Sequence, residues 1–67
     1  MIAKGYLIAQ GEHLYPEVSH RVRESAGRVT RALQSGDIDD AVDALVDWID
    51  ARGLAFVLAL VHASDRN

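Results

Sequence analysis

The 67-residue chain has no cysteine. Disulfides and thiolate zinc sites are therefore excluded. A domain this short is marginal alone and usually draws on disulfides, a metal or oligomerisation, so oligomerisation becomes the leading stabiliser. The missing thiols also fit a reducing compartment. Long apolar runs are absent too: the longest, Leu54 to Val61, has eight residues, where a spanning helix needs about twenty. The start, Met1-Ile2-Ala3-Lys4, leads into a Gly-broken apolar stretch too short for a secretory signal. These features point to a soluble, cytoplasmic chain, complete from its initiator Met. Its wealth of Ala, Val, Arg and Asp suggests a bacterial or phage gene of high GC content.

Basic charge is in short supply. Seven Lys and Arg stand against ten Asp and Glu, a net charge of -3. That argues against broad nucleic-acid binding, which rests on neutralising phosphates, and against an anionic membrane as partner. The five glycines are scattered, so there is no phosphate-cradling loop. Ser19, Ser25, Ser35 and Ser64 lie in no nucleophile elbow. No repeat or low-complexity segment is visible. The chain reads as one domain, residues 1–67. With 49% apolar and 25% charged residues it has globular rather than disordered composition.

What is present organises around two amphipathic segments. Pro16 to Gln34 opens on the only proline, which suits the first helical turn. Val18, Val22, Ser25, Ala26, Val29, Ala32 and Leu33 share one side; Glu17, His20, Arg21, Glu24, Arg28 and Arg31 share the other. The apolar side is thin, built from small residues that permit close approach of a neighbour. Glu17→Arg21 and Glu24→Arg28 have the favourable four-residue order for intrahelical pairs.

The second segment, Ile38 to Arg52, has Asp37 as N-cap and Asp39 and Asp40 in its first turn, where the helix dipole favours negative charge. Arg52 and Gly53 read as its C-terminal end. Ile38, Val42, Leu45 and Ile49 form the central apolar line, with Ala41 and Trp48 on one flank and Val46 on the other. The short turn Ser35-Gly36-Asp37 predicts an antiparallel helical hairpin.

The ends are ambiguous. Leu54 to Ala63 and Ile2 to Gln10 fit either helices or alternating strands. Their Ala and Leu content favours helices. The expected fold is therefore all-α: a small helical bundle on a central hairpin (16–34, 38–52) with short apolar terminal segments. The alternative is β-α-α-β, with a two-stranded antiparallel sheet completed by dimerisation.

Candidate chemistry is sparse. Glu17-Val18-Ser19-His20 has the Glu-x-x-His spacing of carboxylate-bridged di-metal bundles, but such a site needs two motifs and two further glutamates. An exposed pair among arginines is the simpler reading. His62, at the end of the apolar run, is best read as a partly buried histidine snorkelling at a segment end. No metal, cofactor or catalytic set is expected. Arg21, Arg23, Arg28 and Arg31 keep a nucleic-acid contact open as the alternative function, a small DNA-associated transcriptional regulator. Charge is segregated: residues 16–35 hold four arginines against two glutamates, and residues 36–53 hold six aspartates against one arginine. Asp37, Asp39 and Asp40 have a local reason in the helix start. Asp43, Asp47 and Asp50 lie past it, so they are the candidate face for a basic protein partner. The apolar supply exceeds what one short layer can hide. It predicts a homodimer through Leu54, Phe56, Val57, Leu58, Leu60 and Val61, with Trp48 and Tyr6 nearby. The expected function is a non-enzymatic protein-protein interaction module, an adaptor or inhibitor.

Overall fold

In a computed structural model, residues 4–65 are described. They form three helices: α1 (Lys4–Leu14), α2 (Pro16–Ser35) and α3 (Ile38–Asp65). The all-α expectation holds. No strand occurs among the described residues, so the β-α-α-β alternative is ruled out for Lys4–Gln10 and Leu54–Ala63. Ile2, part of the N-terminal segment, lies outside the described residues.

Local chemistry explains the α2–α3 hairpin. Pro16 occupies the first turn of α2, where its missing N–H costs nothing. At the other end Gly36 takes the left-handed conformation, φ 76°, which a side chain disfavours. The Gly36 N–H donates to the Leu33 carbonyl (3.2 Å) and the Asp37 N–H to the Ala32 carbonyl (2.9 Å). This double closure satisfies carbonyls that the helix end leaves open. One residue later Asp37 starts α3: its Oδ1 accepts from the Asp40 N–H at 3.1 Å. The chain thus reverses within two residues.

α3 does not stop at Arg52. It runs through Gly53 to Asp65 as one 28-residue helix, about 42 Å long. Gly53 has no positive φ, so it is not the C-cap that its position after Arg52 suggests. A glycine inside a helix costs only about 1 kcal/mol against alanine. The Ala- and Leu-rich sequence on its far side carries the helix onward.

The largest correction concerns which side of α3 faces inward. Ala41, Ala44, Ala51, Ala55 and Ala59 are buried, while Ile38, Val42, Leu45 and Ile49 are 62%, 53%, 43% and 55% exposed. The predicted central apolar line is an outer surface. The reason is the closeness of the helices. α1 meets α3 at Gly11, where a Cβ would fall 1.9 Å from the Ala55 carbonyl oxygen. At so close an approach the α3 side of the contact has room for alanine methyl groups, not for a second Leu or Ile. The contact is completed by Ile8, Val18 and Val22 against Ala51 and Ala55, with Trp48, Phe56 and Leu58 packed at its edge.

On α2, Val18, Val22, Ser25 and Ala32 are buried as the periodicity predicts, but Ala26 and Leu33 are exposed and Val29 is half-buried. Ser25 sits in this apolar setting because its hydroxyl donates back to the carbonyls of Arg21 (2.7 Å) and Val22 (3.1 Å). The molecule is thin, 48 × 22 × 13 Å. No large side chain among the described residues is less than 2% exposed, so the three helices enclose little interior.

Candidate interaction surface

Two sides of the α2–α3 hairpin differ in chemistry. On one, Arg21 donates to Asp47 Oδ1 at 2.7 Å and Arg28 donates to Asp40 Oδ1 through Nη2 at 2.7 Å and Nε at 3.3 Å. The hydrogen bond to Asp47, and then its charge, raise the Arg21 pKa above the usual guanidinium value; Asp40 does the same for Arg28. His20 and Glu24 pair along α2 at 2.8 Å. The arginines of α2 therefore reach across to aspartates of α3, and the intrahelical pairing Glu17→Arg21 and Glu24→Arg28 is not what forms.

This geometry divides both sets of charged candidates. Asp47 is tied to Arg21, whereas Asp43 and Asp50 are exposed without a cross-helix ion pair among the described residues. In the arginine set, Arg21 and Arg28 are engaged, and Arg23 and Arg31 are exposed with no carboxylate partner among the described residues. Half of the cations needed for the nucleic-acid reading are neutralised within the fold.

The opposite side of the hairpin is apolar. Two open grooves flank Trp48. One, about 220 Å³, lies between α2 and α3 and is lined by Ala26, Val29, Leu45 and Trp48. The other, about 340 Å³, lies between α1 and α3, with Ile8, Trp48 and Ile49 below and Lys4 and Arg52 at its rim. Arg52 stacks over the Trp48 ring (4.6 Å) and Lys4 over the Phe56 ring (5.6 Å), cation–π contacts that spread long side chains across aromatic faces.

The residues predicted for a dimer interface fall into two groups. Tyr6, Leu54, Val57, Leu60 and Val61 are exposed, as an interface requires. Trp48, Phe56 and Leu58 are half-buried against the chain's own core. Ile38, Val42, Leu45, Val46 and Ile49 carry as much exposed apolar surface, although size alone favours the larger apolar line as the inward one. The signal that corrects it is the alanine line itself, Ala41, Ala44, Ala51, Ala55 and Ala59, spaced by three, seven, four and four residues so that all fall on one helix face.

Among the described residues no three His, Asp or Glu side chains gather in a metal-binding group, and no helix is long and apolar enough to cross a membrane. His20 is bound to Glu24 rather than Glu17, and His62 is half-buried on α3. No family model, no curated protein and no solved structure matches the chain.

Proposed function

We propose that the chain is a non-enzymatic protein-interaction module that works as a homodimer, in the manner of an adaptor or inhibitor. The observation that supports it is apolar surface. Twelve large hydrophobic residues are 36% to 62% exposed, nine of them on α3. Ile38, Val42, Leu45 and Ile49 adjoin one another along α3, and a monomeric protein rarely leaves a large contiguous apolar patch in water. Among the described residues the grooves are open, and the charged groups that line them, Lys4 and Arg52, stack on aromatic rings rather than forming the buried, pKa-tuned pair that catalysis uses. Asp43 and Asp50 remain exposed as a surface for a basic partner. Sedimentation equilibrium at micromolar concentration tests the reading: a dimer mass is expected, and a stable monomer overturns it. A pull-down with Asp43→Lys and Asp50→Lys chains tests the acidic face. Loss of a captured partner with the first variant supports it, and unchanged capture with both removes it.

A further inference from the structure

We propose that the second copy packs against the Leu45 side of the α2–α3 hairpin, so that two hairpins form an antiparallel four-helix bundle. This rests on the homodimer reading and adds its face and orientation.

The face is defined by three observations. First, Ile38, Val42, Leu45 and Ile49 fall within about 60° of one another at 100° per residue, and all are exposed. Their 4-3-4 spacing is the seam spacing of packed helices. Second, α2 continues the surface: Ala26 and Val29 line the groove beside Leu45, and Leu33 is 57% exposed one turn further on. Third, both cross-helix ion pairs, Arg21–Asp47 and Arg28–Asp40, lie on the other side of the hairpin. A partner on the Leu45 side desolvates neither, and so avoids the high cost of burying charge.

The occupant is a second copy because the face is self-complementary. It carries a ridge, Ile38, Val42, Leu45 and Ile49, and beside Leu45 a groove lined by Ala26, Val29 and Trp48 that would receive the partner's Ile38 and Val42. A two-fold interface needs both on the same patch. The area is also sufficient. The exposed portions of Ile38, Val42, Leu45, Ile49 and Leu33 amount to roughly 500 Å², and Ala26, Val29 and Trp48 extend this toward the ~800 Å² per partner of a stable interface.

Orientation follows from α1. It stands over α3 on this same side, its Lys4, Gly5 and Ile8 facing Ile49, Arg52 and Gly53. Parallel packing would set the two copies of α1 against each other. An antiparallel pair centred between Val42 and Leu45 places Ile38 opposite the partner's Ile49 and carries each α1 beyond the partner's turn at Gly36. Leu54, Val57, Leu60 and Val61 lie outside this contact and spread over about a third of the helix circumference.

The cysteine-free chain permits a direct test. Sedimentation is run first on the unaltered protein, then on Leu45→Glu and Leu54→Glu. Burying a carboxylate at the centre should raise the dissociation constant about 100-fold or more for Leu45→Glu, and leave it within about threefold for Leu54→Glu. Helical circular dichroism and quenching of Trp48, the single tryptophan, accompany each run: acrylamide access to Trp48 should fall as concentration rises. Oxidised mixtures of Ile38→Cys and Ile49→Cys chains should give the mixed disulfide, with Ile38→Cys alone giving none. A monomer in the unaltered protein sinks the homodimer reading and this inference together. A dimer that survives Leu45→Glu or dissociates with Leu54→Glu overturns the face alone. A self-disulfide of Ile38→Cys overturns the orientation alone.

Discussion

Replacing Gly11 with Ala tests the claim that helix proximity, not side-chain size, organises this core. The added Cβ would lie 1.9 Å from the Ala55 oxygen, 2.6 Å from its carbonyl carbon and 2.9 Å from its Cα. All three are backbone atoms, so no side chain can swing away. α1 must retreat by roughly 1.5 Å to restore van der Waals distance. Leu7 and Ile8, 9% and 7% exposed, hold α1 in place, each worth about 1.5–3 kcal/mol by burial. A gap of 0.5–1 Å already forfeits about a quarter to a half of the dispersion well, so the loss is about 1–3 kcal/mol. Alanine returns at most about 1 kcal/mol of helix propensity. The net is a destabilisation of about 1–2 kcal/mol, or a melting temperature lower by about 5–15 °C for a domain of this size. Gly53→Ala is the control: nothing lies within 4 Å of its Cβ position, so the same substitution should stabilise by up to about 1 kcal/mol. Thermal circular dichroism at one fixed protein concentration measures both, and hydrogen exchange on α1 locates the first. A Gly11→Ala melting point equal to or above that of the unaltered chain refutes the close-packed contact.

Gly36→Ala forces a side chain into φ 76° at the α2 cap and should cost about 1–2 kcal/mol, read by urea denaturation. Ala51→Leu adds three carbons at a position that is 0% exposed and should cost about 1–3 kcal/mol by overpacking; an unchanged denaturation midpoint would show the helices free to separate. The Arg28–Asp40 pair is 42% and 41% exposed, so a double-mutant cycle should return a small coupling that fades in high salt. Duplex DNA should show no salt-sensitive retention at low ionic strength; retention that Arg23→Ala and Arg31→Ala abolish would revive the regulator reading. Because association adds stability by mass action, the melting temperature should rise with protein concentration, and a constant value over a thousandfold range would count against the dimer.

Much of the hairpin was legible because its signals are local. Proline in the first turn of α2, Gly36 in the left-handed conformation and Asp37 at the N-cap each act over a few residues. None depends on what packs where. The continuation of α3 through Gly53 was not legible by the same rules, since Arg52-Gly53 has the composition of a helix end. What decides the matter is that α1 binds both sides of that point, with Ile8 near Trp48 and Gly11 against Ala55. A contact to a distant segment outweighs a penalty of about 1 kcal/mol.

The inward face of α3 shows the same limit more sharply. Two apolar lines run along it, one of alanines and one of larger residues. Periodicity finds both and cannot rank them. Size favours the second, because a buried Leu or Ile gains more than a buried Ala. The structure gives the inside to the alanines because α2 offers Val18, Val22, Ser25 and Ala32, and α1 offers Gly11. Surfaces so small and close leave no room for Ile38 or Leu45. The large line is then not surplus. It is apolar surface that packing within the chain leaves exposed, and the Arg21–Asp47 and Arg28–Asp40 pairs lie on the other side of the hairpin. An isolated chain satisfies its ion pairs and its small-residue contacts and still leaves its strongest hydrophobic residues in water. The second copy proposed at the Leu45 side would relieve that conflict along Ile38, Val42, Leu45 and Ile49, and on that proposal folding and association are linked.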